Sequence, residues 1–393
     1  MLLSILVCFG IAAPKVGAAD DTDIIAPIRI TLPMPDIPGG VDLRLGLTDS
    51  VTMLPDGRIA VIGYTFASSR VYVRIYDPRT GADEIRYAPL SSDFELANRL
   101  NSPVAAIGDT LFIYGSRVTL LRAGPRSSVA DPVAIHEEDS PEHSNPADPD
   151  ANVNSLRAVG SIIEDRDSVL VGWWEDVSTN PDADDRCGVG ATVARVSSDG
   201  RLVWRWQDPR GGFGFPNEMA VLASGTIIVQ IDGGGAREDM GTIMNPCVNG
   251  SESVVALTPD GNEIARLDLP WGTAVGPLSL SADGNEALAT ARFDDGPDAI
   301  LRISLDDNKI TLRRVDLSKQ ILDSRYSGSI VTTLRRGGYR ILTDIPSELI
   351  LDEQANVSDG RVLNTVMGRG CSVQGDRAVI CWAGDEVTFL PLH

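Results

Sequence analysis

The feature that most constrains the fold is a run of short strand-like segments separated by tight turns, clearest at 276–318. Apolar residues alternate through Leu301, Ile303 and Leu305, which is the period of a β-strand with one buried face. The Asp-Gly and Asp-Asn turns between these strands supply residues that accept positive φ, as tight hairpins require. A four-stranded meander cannot bury both of its faces, so we expect it to stack on similar units.

Similar units occur on both sides of this stretch, and their first turns lie near 56, 108, 166, 224, 283, 337 and 375. This spacing is typical of β-propeller blades, whose ring removes exposed sheet edges. The last unit, 366–392, has room for only three strands, and the isolated segment 27–33 can supply the fourth. The sequence therefore predicts an all-β fold: a seven-bladed β-propeller of four-stranded antiparallel blades, with the last blade completed by the N-terminal strand.

Three phrases resemble the repeats of a known group of propellers. They are VRIYDPRTG at 73–81, SSDGRLVW at 197–204 and VVALTPDG at 254–261. Together they resemble the quinoprotein-like, or YVTN-like, repeats of secreted bacterial seven-bladed β-propellers, and the resemblance covers residues 27–393. It implies the fold and no particular activity, because the phrases consist of hairpin turns and their flanking strands.

Residues 1–19 have an apolar run that ends in small residues, which is the pattern of a secretory signal peptide. Their only basic residue, Lys15, follows the apolar run instead of preceding it, unlike a typical signal peptide. We expect 1–19 to be a signal peptide and 20–393 to be a single β-propeller domain, secreted or periplasmic. No later segment reaches the apolar length of about 18 residues that a membrane span requires.

The chain is acidic, with 55 Asp and Glu residues against 34 Lys and Arg residues and a formal net charge of −21. This charge argues against nucleic acid and anionic membranes as partners. We expect a monomer whose partner is a protein, a peptide or a glycan.

Four cysteines follow the predicted signal peptide, and an even number in an exported chain permits two disulfides. Cys371 and Cys381 flank a turn and are expected to face each other across a hairpin. Cys187 and Cys247 would then be left to pair with each other between two long loops. The alternative is four buried thiols, since a free cysteine packs well as a small apolar side chain.

The longest irregular segments fall in the connections between second and third strands and between units, namely 137–155, 176–189, 208–217 and 233–253. In a propeller these connections share one face, which we call the long-loop face, and long insertions there indicate a binding surface.

An acid follows the second strand in five successive units, and Trp174 precedes the first of these acids. The five acids are Asp176, Asp232, Asp294, Asp344 and Asp385. We predict that they and Trp174 form a ligand-binding arc on the long-loop face that attracts a cation. The alternative is that each aspartate ends its strand by hydrogen-bonding its own turn.

Ca²⁺ is the one cofactor that the sequence suggests. Asp148, Asp150 and Asn152 carry oxygen ligands at alternate positions, as in the first half of a calcium loop. Val153 replaces the usual glycine, and Val159 replaces the twelfth-position glutamate. An acidic, solvated loop is the alternative.

Catalytic motifs such as Gly-x-Ser-x-Gly and His-Glu-x-x-His are absent from the sequence, which contains three histidines.

The leading hypothesis is an exported β-propeller that binds a ligand or partner without catalysis. The alternative is a carboxylate-dependent hydrolase or lyase acting on an extracellular polysaccharide, since this chemistry needs only two acids at a suitable separation. A third hypothesis is an interaction module whose acidic rim serves solubility. Exposure of Trp173, Trp174 or Trp271 at the rim would favour carbohydrate or peptide binding.

Overall fold

The computed structural model describes 29 β-strands and many of the turns that join them. The described residues are 28–31, 50–54, 56–65, 70–87, 104–108, 110–115, 119–123, 131–134, 157–175, 190–210, 215–232, 252–270, 273–293, 296–317, 329–334, 337–343, 347–362, 370–374, 378–383 and 386–391. In this part of the chain, no helix is both long enough and apolar enough to cross a membrane.

The described strands form seven antiparallel sheets, which we number in chain order of the strands from β2 onward. The first four sheets each have four strands in sequential order. Sheet 1 contains β2 (Ser50–Met53), β3 (Ile59–Thr65), β4 (Arg70–Tyr76) and β5 (Asp83–Tyr87); sheet 2 contains β6 (Val104–Ile107), β7 (Thr110–Gly115), β8 (Thr119–Ala123) and β9 (Asp131–Ala134); sheet 3 contains β10 (Arg157–Asp165), β11 (Ser168–Glu175), β12 (Gly190–Ser197) and β13 (Leu202–Gln207); sheet 4 contains β14 (Phe215–Val221), β15 (Ile227–Asp232), β16 (Ser253–Leu257) and β17 (Glu263–Asp268).

The last three sheets include one divided strand and one sheet that joins distant parts of the chain. Sheet 5 contains β18 (Thr273–Val275), β19 (Ser279–Leu280), β20 (Ala287–Phe293), β21 (Ala299–Asp306) and β22 (Lys309–Asp316); sheet 6 contains β23 (Ile330–Thr333), β24 (Tyr339–Thr343), β25 (Ser347–Leu351) and β26 (Val357–Val362); sheet 7 contains β27 (Gly370–Gln374), β28 (Ala378–Ala383), β29 (Glu386–Pro391) and β1 (Ile28–Thr31).

Sheet 7 combines the strand near the N-terminus with the last three strands. β1 pairs with β29 in antiparallel register from Ile28 opposite Phe389 to Thr31 opposite Glu386. The pairing predicted for the segment 27–33 is therefore present.

The hydrophobic core consists of apolar layers between neighbouring sheets. Separate clusters of buried side chains lie between sheets 2 and 3, 3 and 4, 4 and 5, 5 and 6, and 7 and 1. First strands also approach one another, because β2 contacts β6, β6 contacts β10, and β10 contacts β14. This stacking of antiparallel sheets confirms the predicted class, an all-β propeller. The number of blades in the ring stays a prediction.

Sheet 5 differs in one respect from its prediction, which began the sheet at Gly276. An additional short strand, β18, pairs with β20 before Gly276, and β19 pairs with the same strand after it. Pro277 lies between the two pieces and has no N–H to donate to a strand ladder, so it interrupts the pairing.

The turn between β21 and β22 has the conformation that its sequence predicts. Asp306 pairs with Lys309, which leaves Asp307 and Asn308 as a two-residue loop. Both have positive φ, 45° and 59°, as a type I′ hairpin turn requires. The sheets end at two faces: these tight turns belong to the turn face, and the connections between second and third strands or between sheets belong to the long-loop face.

Candidate functional site

Most of the acids predicted to bind a ligand lie just after the last described residue of a strand. Asp176, Asp294, Asp344 and Asp385 fall outside the described residues. Five second strands end at residues adjacent or close to the predicted acids: β11 at Glu175, β15 at Asp232, β20 at Phe293, β24 at Thr343 and β28 at Ala383. For Asp232 the backbone position is described, opposite Phe215.

Trp174 lies in β11 with its backbone opposite Ala158 and Ala191. Its neighbour Trp173 is 0% exposed and packs in the cluster between sheets 2 and 3. Trp173 therefore does not meet the condition of rim exposure that would favour carbohydrate or peptide binding, because it points into this apolar layer.

The predicted calcium ligands Asp148, Asp150 and Asn152, together with Cys187 and Cys247, lie outside the described residues. Within the described ranges, no group of three or more His, Cys, Asp or Glu side chains is placed to hold a metal ion. Cys371 and Cys381 have described backbones and are directly opposite each other in β27 and β28.

The described rim of the long-loop face contains a network of arginines and carboxylates at sheets 3 and 4. Asp208 follows β13, is 6% exposed, and accepts two hydrogen bonds of 3.0 Å from the Arg266 guanidinium. It also accepts the backbone N–H of Arg210 at 3.0 Å. Charge-assisted bonds of this kind fix the geometry of a buried carboxylate.

Arg210 extends this network into sheet 4. It donates to Asp268 at 2.8 Å and to the Ser253 hydroxyl at 3.0 Å, at the end of β17 and the start of β16. One arginine thus joins the connection after sheet 3 to two strand ends of sheet 4, next to the loop between Asp232 and Ser253.

A second group lies at the same face of sheet 5. The Arg314 guanidinium is 4.0 Å from the ring centroid of Phe293, and it donates to the Pro297 carbonyl at 2.8 Å and to Asp316. Asp298 pairs with Arg292 at 3.4 Å. The carboxylates of these groups are therefore neutralised by arginines, and this part of the rim presents fixed pairs of opposite charge.

A polar cluster between sheets 4 and 5 was not predicted from the sequence. Gln230 is 0% exposed, and its Nε2 donates to Glu252 at 3.3 Å and to the Val275 carbonyl at 3.2 Å. The Glu252 carboxylate also accepts the Val275 N–H at 3.2 Å. The two side chains therefore bond both backbone polar groups of a residue in the neighbouring sheet.

Glu218 stands directly opposite Gln230 in the β14–β15 pair. Because cross-strand partners share a face of the sheet, Glu218 lies on the side of this cluster. Surrounding protein removes water from the carboxyl, and this desolvation raises the pKa of Glu218 to about 7. A carboxyl in this range can hold or release a proton near neutral pH.

Comparison with solved structures shows the same class of fold. BamB from Moraxella catarrhalis aligns with a TM-score of 0.51 and 12% identity, over 88% of this chain and 85% of BamB. YCF48 bound to the D1 peptide gives 0.49 and 11%, over 94% and 96%. The Dos1 propeller gives 0.46 and 12%, over 88% and 83%. No protein-family model and no curated protein sequence matches the chain.

BamB is a β-propeller, and the likeness to it is one of fold alone. Together with the seven stacked antiparallel sheets, this likeness makes the chain a β-propeller at the level of fold.

Sequence reasoning missed Arg210, Arg266 and Glu218, because their partners are distant in the chain or belong to other sheets. One signal was available for Glu218: it is an acid within a strand segment, FPNEMAV, that is otherwise mostly apolar. A charge in such a segment indicates a functional or paired group.

Proposed function

We propose that this chain is an exported, seven-bladed β-propeller that binds a ligand or protein partner on its long-loop face and has no catalytic activity of its own. The observation that carries this proposal is the difference in the lengths of the connections at the two faces. At the turn face, the longest connection lies between Ala123 and Asp131. At the long-loop face, connections extend from Ala134 to Arg157 and from Asp232 to Ser253.

Long loops on a rigid scaffold are where binding residues concentrate. The arginine–carboxylate network supports this use of the face, because Arg210, bonded to Asp208, also bonds Ser253 at the strand start where the loop at 233–252 ends. A fixed base lowers the entropy that a loop loses when it closes on a partner. Opposed charges at the rim also suit a polar partner, such as a peptide or a glycan.

Seven sheets, one of them built from both ends of the described chain, support a ring of seven blades. Export is proposed from residues 1–19 alone. It can be tested by the mass of the protein recovered from the culture medium or periplasm, which should lack that segment.

A disulfide between Cys371 and Cys381 is part of this proposal. Residues directly opposite in an antiparallel pair have Cα atoms about 4.5 or 5.5 Å apart, which is within the range of disulfides. Peptide mass mapping without reductant should find these two residues joined, and Cys187 joined to Cys247. Recovery of four free thiols from the exported protein would contradict the pairing.

Binding can be tested by probing peptide and glycan arrays with the wild-type protein and two variants. In the first variant, a Gly-Ser linker replaces 235–249 in the long-loop face. In the control, Asp199→Ala alters an exposed ion pair with Arg201 at the turn face. We expect the first variant to lose the wild-type array signal and the control to keep it. The opposite pattern would refute the proposal, and cleavage of a bound glycan would support the hydrolase or lyase instead.

A further inference from the structure

The cluster between sheets 4 and 5 contains an acceptor atom that its surroundings leave unused. The Oε1 atom of Gln230 is buried and has no hydrogen-bond partner, while Nε2 of the same amide has two. A buried polar atom without a partner loses its hydration without compensation. The two partners of Nε2 also fix the amide orientation, since a reversed amide would place Oε1 against the Glu252 carboxylate.

The carboxyl of Glu218 has no partner among the described residues either. Among the described residues, no hydrogen bond or ion pair reaches it, and desolvation alone accounts for its raised pKa. Glu218 lies on β14, on the opposite side of β15 from Glu252. Glu218 and Gln230 are cross-strand partners, so their side chains lie next to each other on the same face of the sheet.

We propose that Glu218 and Gln230 bind the primary ammonium group of a ligand. The site lies within sheets 4 and 5, so the proposal stands whether or not the long-loop face binds a partner. An ammonium group carries one positive charge and three N–H donors. The site offers one negative charge and an unfilled amide oxygen, and the second carboxylate oxygen of Glu218 is available for a further donor.

The Glu218 side chain is partly exposed, and we infer that a ligand approaches it from the ring interior. β14 is the first strand of its sheet, and its neighbour β10 is the first strand of sheet 3, so the two lie where first strands gather. Asn217 is exposed beside Glu218, at a register shift between Pro216 and Glu218. A bulge of this kind redirects side chains and often lies next to a binding site.

An ammonium ligand fits this donor set better than a divalent metal. Ca²⁺ takes six to eight oxygen ligands and Mg²⁺ takes six, whereas the two unused groups here supply one carboxylate and one amide oxygen. A proton on Glu218 is the simplest competitor, because a protonated carboxyl could donate to Gln230 itself. Binding of ammonium must therefore weaken as the pH falls through about 7.

Other charged groups lie on or next to the strands packed around β14. They are Arg157, Glu164, Asp165, Glu175, Arg195, Asp232 and Glu252. Asp165 is paired with Arg195, and Glu252 is bonded to Gln230 and Val275. The pH dependence assigned to Glu218 must therefore be identified by substituting Glu218.

The test measures the thermal midpoint of the full exported chain with methylammonium chloride, well above pH 7. Tetramethylammonium chloride at equal ionic strength is the control, because it has the same charge and no N–H donor. We expect methylammonium at about tenfold its Kd to raise the midpoint by roughly 2 °C relative to that control. The rise should vanish in Glu218→Gln and persist in Asp260→Asn, which removes an exposed carboxylate from the same sheet.

Several results would overturn the proposal: no rise with methylammonium, an equal rise with tetramethylammonium, or a rise that Glu218→Gln retains. A rise with Ca²⁺ or Mg²⁺ that Glu218→Gln abolishes, without a methylammonium effect, would show a metal site instead. If Glu218→Gln does not fold, a wild-type methylammonium effect that persists well below pH 7 would overturn the proposal.

The source of the ammonium group can be separated with three short peptides. A peptide with a free amino terminus, its acetylated form, and an acetylated peptide with one lysine are compared with methylammonium. If only the peptide with a free amino terminus raises the thermal midpoint, the ligand is a peptide terminus. If the acetylated lysine peptide raises it, the ligand is a lysine side chain. A shift with the peptide that lacks any amine would contradict an ammonium site.

Discussion

The two faces of the molecule are built from the same strands but satisfy their polar groups differently. At the turn face, six turns repeat one backbone pattern, in which the first residue bonds the carbonyl of the fifth and the fourth bonds the carbonyl of the first. The first residues are Leu54, Ser197, Leu222, Thr258, Leu334 and Asp352. At the long-loop face, the described polar groups instead bond across strand ends, as Arg210 does to Asp268 and Ser253.

The turns also bond one another across sheets. Ala223 N–H donates to the Gly284 carbonyl at 2.8 Å, and Trp204 Nε1 donates to the Pro259 carbonyl at 2.9 Å. Polar groups that are satisfied within the turn face are not available to a partner. The bonds between turns therefore hold the sheets together at the turn face, whereas the long-loop face is the surface that we propose for binding.

The largest expected effect comes from Gly338→Ala at the turn face. Gly338 has φ +86°, and a Cβ atom there would overlap the carbonyl oxygen of Leu351 and approach the backbone of Asp352. We expect a loss of about 4 kcal/mol in the free energy of unfolding, from backbone strain and steric overlap together. Denaturant unfolding measures it.

Gly57→Ala is the matched control for that substitution. Gly57 has nearly the same φ, +85°, at the fourth position of a turn with the same backbone pattern, whereas Gly338 is at the fifth, and nothing lies within 4 Å of the Gly57 Cβ position. Gly57→Ala should lower the free energy of unfolding by only about 1 kcal/mol, which is the cost of backbone strain alone. Equal losses in the two variants would show that the close packing of the Gly338 turn contributes nothing.

Asp208→Ala tests the network of the long-loop face. The substitution leaves Arg266, 14% exposed, without one of its carboxylate partners and removes the acceptor of the Arg210 N–H. We expect a loss of about 3 kcal/mol, measured by denaturant unfolding. Asp199→Ala, at an exposed ion pair of the turn face, should cause no resolvable change. If Asp208→Ala lowers the free energy of unfolding less than Asp199→Ala does, the network at the long-loop face is not more stabilising than the exposed ion pair at the turn face.

A carboxyl of the turn face and a carboxyl within sheet 4 should give opposite pH dependences. The Ser281 hydroxyl and Asn285 lower the pKa of Asp283 to about 2, so its stabilisation is present above its unfolded pKa of 3.8 and is lost as the pH falls through about 2. Desolvation raises the pKa of Glu218 from 4.5 to about 7, so its contribution is full below 4.5 and is lost as the pH rises through about 7.

Glu218→Gln should remove the Glu218 contribution to this pH dependence. We expect the variant to gain about 2 kcal/mol relative to wild type as the pH rises from 4.5 to above 7, after allowance for the partial exposure of the Glu218 side chain to solvent. Unfolding free energies measured across this range for both proteins provide the check. Parallel curves would mean that Glu218 does not titrate with a raised pKa.

The smallest effect is expected for Trp204→Phe. This substitution keeps an aromatic ring against Gly261 and removes the hydrogen bond from Nε1 to the Pro259 carbonyl in the next sheet. A loss of about 1 kcal/mol in unfolding free energy is expected. No loss would indicate that this contact between the turns of sheets 3 and 4 is not stabilising.

The sequence predicts the turn face better than the long-loop face, and the reason is physical. Asp307-Asn308 and the Gly57 turn adopt their conformations through local backbone preferences, which are readable from a few adjacent residues. Arg210 finds Asp268 in another sheet, and the desolvation of Glu218 depends on strands from neighbouring sheets. Such contacts exist only after the sheets have stacked, so local sequence patterns do not reveal them.

Hydrogen–deuterium exchange, measured with and without a peptide or glycan that binds on the arrays, tests most directly whether the long-loop face is the binding surface. We predict that the peptide or glycan hit slows exchange in 176–189, in 233–251 and in the adjoining strand ends, while the turns at 54–58, 197–201 and 258–262 are unchanged. Slower exchange confined to those turns would contradict the assignment of the long-loop face as the binding surface.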